Sequence, residues 1–119
     1  MNQRSIIAVM LLVCSSLLVA MGESAIGVRA EPDSKTVTIT NFQFSPKRVT
    51  VKAGSEVTWE VKEGVHTVTA DKGVFESQNL SAGQKFSFKF TKPGAYRYYC
   101  SFHGSKGGHD MAGTVMVVR

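Results

Sequence analysis

The chain has 119 residues, enough for one domain and no more. With 14 Lys+Arg against 9 Asp+Glu its formal net charge is +5, and most of the charged residues lie beyond residue 30. The lysines there are scattered, without a run or a cluster at helical spacing, which excludes a nucleic-acid-binding patch and leaves a solvated basic surface able to steer acidic partners.

The first thirty residues stand apart. Met1-Asn2-Gln3-Arg4 is a short positive start, Ile6 to Ala20 is an unbroken run of apolar and small residues, and Val28-Arg29-Ala30 offers small residues where a signal peptidase reads. Residues 1–30 are therefore expected to be a secretory signal, with an uncleaved membrane anchor as the rival, and residues 31–119 to be the working domain. Export to the periplasm or another extracytoplasmic space follows. It also isolates Cys100, because the second cysteine, Cys14, lies inside the signal and leaves no partner for a disulfide.

From Lys35 onward the hydrophobic period is two. Val37 and Ile39 alternate with threonines, and the pattern repeats at Val49/Val51, Val57/Trp59/Val61, Phe86/Phe88/Phe90, Tyr96/Tyr98 and Val115/Val117. Such alternation marks strands with one buried face. The separators are turn formers, among them Ser45-Pro46-Lys47, Ala53-Gly54-Ser55, Glu63-Gly64 and Lys92-Pro93-Gly94. Many short strands at this spacing predict an all-β, antiparallel Greek-key sandwich or barrel. A single turn of helix is admissible only around Phe75 to Leu80. The aromatics, Phe42 and Phe44 included, are expected in the core, and Tyr96 is expected to turn its hydroxyl back onto the backbone at a corner.

The chemistry gathers near the C-terminus. Residues two apart on a strand share a face, so Tyr96, Tyr98 and Cys100 should all point inward, with Cys100 at the strand's end. A turn after it brings round His103, Met111 follows, and His66 opens a strand after the Glu63-Gly64 turn. Two imidazoles, a thiolate and a thioether suit copper, and in a trigonal plane with a weak axial sulfur they make a blue-copper electron-transfer site.

Around these residues the chain reads Asn41-Phe42-Gln43-Phe44-Ser45-Pro46, Val49-Thr50-Val51-Lys52-Ala53-Gly54, Val57-Thr58-Trp59, His66-Thr67-Val68, Pro93-Gly94-Ala95-Tyr96, Tyr99-Cys100 and Met111-Ala112-Gly113-Thr114-Val115. In this ordered series it resembles the small cupredoxins of the plastocyanin, amicyanin and pseudoazurin kind, from about Thr36 to the C-terminus. The resemblance implies one type 1 copper ion, with His66, Cys100 and His103 as equatorial ligands and Met111 as axial ligand. It implies a monomeric electron carrier, not an enzyme, passing single electrons between redox protein donors and acceptors. Two features depart from the relatives. The His103–Met111 interval is longer and contains His109, a competitor for the axial place, and Phe102 stands where proline is common. Phe102 restores a backbone N–H near Cys100 and offers its ring to an apolar docking face.

Other classes fit less well. A copper-delivery protein without redox turnover would favour an exposed, methionine-rich site, and beyond the signal the chain has only Met111 and Met116. Cys100 and His103 as nucleophile and base would lack a third orienting group.

Overall fold

The computed structural model describes residues 33–119; the expected signal over residues 1–30 lies outside the described residues. Eight strands follow one another: β1 (Ser34–Thr40), β2 (Gln43–Ser45), β3 (Arg48–Lys52), β4 (Ser55–Val61), β5 (Thr69–Ala70), β6 (Lys85–Phe90), β7 (Gly94–Ser105) and β8 (His109–Val118). They form two four-stranded sheets, in the orders β2-β1-β4-β6 and β3-β8-β7-β5. Four pairs run antiparallel (β1–β2, β4–β6, β5–β7, β7–β8), while β1–β4 and β3–β8 run parallel, as the chain crosses to the other sheet between the members of each pair.

The two-residue period does the sorting. In β4, Ser55, Val57, Trp59 and Val61 are buried and the residues between them face outward. Val37 of β1 is paired across to Trp59, and Val49 of β3 to Val115 of β8, so inward positions of neighbouring strands line up. Between the sheets Trp59 stands amid Phe75, Phe86, Phe90 and Tyr98, with ring centroids 5.3–6.4 Å away. The corner tyrosine behaves as expected: the Tyr96 hydroxyl donates to the Lys92 carbonyl at 2.7 Å.

Two expectations are corrected. Phe75 to Leu80 forms no helical turn but an extended strap lying antiparallel to the His66–Ala70 segment. His66 and Leu80 exchange backbone hydrogen bonds at 2.9 and 2.8 Å, Ser77 N–H donates to the Val68 carbonyl at 2.9 Å, and Ala70 N–H to the Phe75 carbonyl at 3.0 Å. A helix would leave those partners on the His66 side unpaired, and burying them so is costly. The second correction is Phe42, which is not core: it is 64% exposed, because it occupies the turn between β1 and β2 and not a strand.

Candidate metal centre

The β7–β8 ladder runs regularly to Tyr99 opposite Ala112 and resumes at Gly104 opposite Asp110. Between these pairs Cys100, Ser101, Phe102 and His103 face the single residue Met111. A bulge of this kind re-aims side chains, and here it turns His103 back toward the Cys100 thiol. His103 thus reaches the site from within a bulged strand, where a turn after the strand was expected. Gly104 closes the bulge, since a Cβ there would run into the Met111 backbone.

His66 arrives from the other side. It sits on an isolated bridge to Leu80, outside the regular strands, and is fully buried. Its Nε2 lies 2.9 Å from the Glu63 carbonyl oxygen. A carbonyl can only accept, so Nε2 carries the proton and Nδ1 presents its lone pair. That Nδ1 is 3.7 Å from the Cys100 Sγ. The tight turn that delivers the Glu63 carbonyl needs Gly64, whose φ is +82° and whose missing Cβ would strike Asn41 and the His66 ring. Burial lowers the His66 pKa, outweighing the opposing effect of the Glu63 hydrogen bond and keeping the ring in its neutral, ligating form.

The His103 Nδ1 is 3.5 Å from the same sulfur, and the three ligand atoms of His66, Cys100 and His103 all lie within 4.8 Å of one another. A sulfur and a nitrogen bound to one ion at about 2.3 and 2.0 Å, with an open angle between them, sit roughly 3.6 Å apart. The donor set therefore fits a soft or borderline metal in both chemistry and spacing. Cys100 and Met111 are buried, and Met111 stands across the bulge from both Cys100 and His103. His109 is exposed at the hairpin tip, paired with Ser105, and is not part of the cluster.

Sequence reasoning missed the residues that hold the candidate ligands in place. Ser101 N–H donates to the Thr67 Oγ1 at 2.8 Å, and that hydroxyl in turn donates to Ser101 Oγ at 3.1 Å and meets Thr69 Oγ1 at 3.0 Å. Thr67 follows one ligand candidate and Ser101 follows another, so one hydroxyl ties together two segments 34 residues apart. The sequence carried no signal for it, because Thr67 alternates with His66 and Val68 and so reads as an outward position. Thr67→Val keeps the shape and strands the Ser101 N–H, so it is expected to destabilise the fold by about 1–3 kcal/mol in denaturant unfolding.

Comparison with known proteins follows the same lines. The cupredoxin-like domain family is matched over residues 5–117. The chain is 36% identical over 80 residues to amicyanin-alpha of Methylorubrum extorquens, covering 62% of this chain and 67% of that protein. Among solved structures, an oxidised methionine-to-leucine mutant of amicyanin is similar with a TM-score of 0.63 and 27% identity, covering 78% of this chain and 88% of that one. A copper-containing nitrite reductase from Thermus scotoductus is similar with a TM-score of 0.63 and 28% identity over 78% of this chain, which spans only 24% of that longer one.

Proposed function

The chain belongs to the cupredoxin-like family, and from that premise we propose that it is a type 1 copper protein shuttling single electrons between exported redox partners. His66, Cys100, His103 and Met111 would hold the ion. The observation that carries this reading is the convergence of two Nδ1 atoms on one buried thiol, at 3.7 and 3.5 Å. When bound there, copper supplies a one-electron couple.

The residues do the rest. Cys100 and His66 are fully buried, which excludes water from the thiolate side and makes loss or gain of a solvent ligand difficult. The Glu63 carbonyl fixes one imidazole, and the Thr67–Ser101 hydrogen bonds fix the spacing of His66 from Cys100. A cage held so by its sheet moves little when the charge inside it changes. His103 alone of the three is partly exposed, and its edge is the way in and out for the electron. Exposed Phe42, Val65 and Phe102 surround that edge and offer an apolar face for docking. The net charge of +5 favours partners with acidic surfaces. Export, to the periplasm or another extracytoplasmic space, rests on residues 1–30.

Enzymatic use of Cys100 as a nucleophile is disfavoured by its complete burial, which leaves a substrate no approach. The nitrite reductase likeness spans too little of that enzyme to bring its activity here.

Visible and EPR spectra of the Cu(II)-loaded protein test the proposal. An intense blue band with narrow copper hyperfine splitting is expected, shifted in Met111→Ala and unchanged in His109→Ala. A pale protein with an ordinary copper signal would exclude Cys100 as a ligand and leave copper storage or delivery as the function.

A further inference from the structure

The two histidines of the site are held in unlike ways. His66 is buried and its second ring nitrogen meets the Glu63 carbonyl, whereas for His103 the hydrogen bonds among the described residues include only the Nδ1 contact to Cys100 Sγ. His103 also lies in the bulge, with no cross-strand partner for its backbone. Beyond that contact the imidazole is surrounded by rings: His66 on the buried side, with a centroid distance of 5.2 Å, and two phenylalanines. Phe42 stands edge-on to it with a centroid distance of 4.8 Å and an interplanar angle of 70°, and Phe102 stands farther off at 6.2 Å.

Phe42 is an odd occupant of its position. Thr40 pairs with Gln43, so Asn41-Phe42 is the two-residue loop of the β1–β2 hairpin. Of the two loop residues only Phe42 has positive φ, and a turn with positive φ at its second central place usually carries glycine or asparagine there. Phe42 has φ 135°, a conformation that L side chains rarely adopt, and its ring remains 64% exposed. Neither local backbone preference nor burial explains an aromatic here. Backbone strain at a non-glycine residue is a pointer to function when the surroundings hold it in place.

We propose that Phe42 is a positioning residue for His103: an exposed aromatic, kept at a strained turn position where glycine would relax the chain, that pins the imidazole from the solvent side by an edge-to-face contact. Aromatic pairs prefer this offset or perpendicular geometry because the positive ring edge meets the negative face. The turn supplies the aim, since β1 and β2 are anchored in the opposite sheet from His103. Fold stability and site order then pull against each other at one residue. The importance of pinning His103 rests on its reading as a metal ligand, while the contact itself does not.

The test compares Phe42→Gly, Phe42→Leu and Phe42→Tyr with the parent. In the metal-free protein, the NMR signals of the His103 ring should lose their ring-current shifts in the glycine and leucine variants and keep them in the tyrosine variant, with the His66 signals unmoved. Glycine and leucine both remove the ring, but only glycine relaxes the backbone, so Phe42→Gly should fold with an equilibrium constant roughly fivefold above that of Phe42→Leu. In the Cu(II)-loaded protein, transfer of the metal to a chelator should quicken by about tenfold in the glycine and leucine variants and recover in the tyrosine variant. Unchanged His103 signals in both ring-less variants would overturn the proposal, as would a glycine variant less stable than the leucine one. A parent protein that binds no copper would instead sink the electron-carrier reading, and the metal-free measurements would still decide the role of Phe42.

Discussion

Cys100→Ser is expected to abolish the intense visible band of the copper-loaded protein and to weaken copper binding by more than about a hundredfold, beyond what changes around the ligands usually cost. The thiolate is the only soft anionic donor in the cluster, and charge transfer from it to copper is what colours such a site. A serine hydroxyl has nearly the same shape but remains protonated at neutral pH. The fold should survive the change. The buried hydroxyl would lie between two imidazole nitrogens, now 3.7 and 3.5 Å from the sulfur, either of which can partner it. Thermal unfolding of the metal-free variant should therefore stay close to the parent, within about 1–2 kcal/mol, while titration with Cu(II) shows the loss of affinity. A variant that stayed blue would remove Cys100 from the ligand set and the electron-carrier reading with it.

The pattern of alternation made the sandwich legible. Val57, Trp59 and Val61 announce an inward face by spacing alone, and the structure buries all three. The site was legible as residue types in order, because copper chemistry needs side chains that few other roles combine. Much of what escaped is carried by the backbone. The Glu63 carbonyl that sets the His66 tautomer leaves no side-chain signature, and neither does the bulge that places four residues of β7 opposite Met111. Phe42 misled for a different reason. Spaced two residues from Phe44, it continues the strand period, yet a hairpin turn interrupts the face and delivers the ring to solvent beside His103. The strap from Phe75 to Leu80 was ambiguous because its structure comes from a partner segment distant enough to be invisible to local pattern.

The largest stability effect is expected at Trp59. Its side chain is fully buried between the sheets and touches the rings of Phe75, Phe86, Phe90 and Tyr98. Truncation of such a residue costs about 3–5 kcal/mol through lost transfer energy and a residual cavity. A small domain has only about 5–15 kcal/mol to lose, so metal-free Trp59→Ala should be largely unfolded or close to it in mild denaturant. The loss should reach the site as well. Tyr98 packs edge-on against Trp59 at 5.3 Å and lies on the same face of β7 as Cys100, two residues on. Copper binds the folded state in preference and should restore part of the stability by mass action. Trp59→Phe separates packing from polarity. The Trp59 Nε1 is buried and its interaction with the equally buried Tyr98 hydroxyl falls short of a full hydrogen bond, so phenylalanine removes a poorly satisfied donor while leaving most of the ring volume in place. Its denaturation midpoint should fall by less than half the shift seen for alanine. A loss as great as alanine's would mean that the indole N–H is satisfied and holds the two sheets in register at the level of Tyr98.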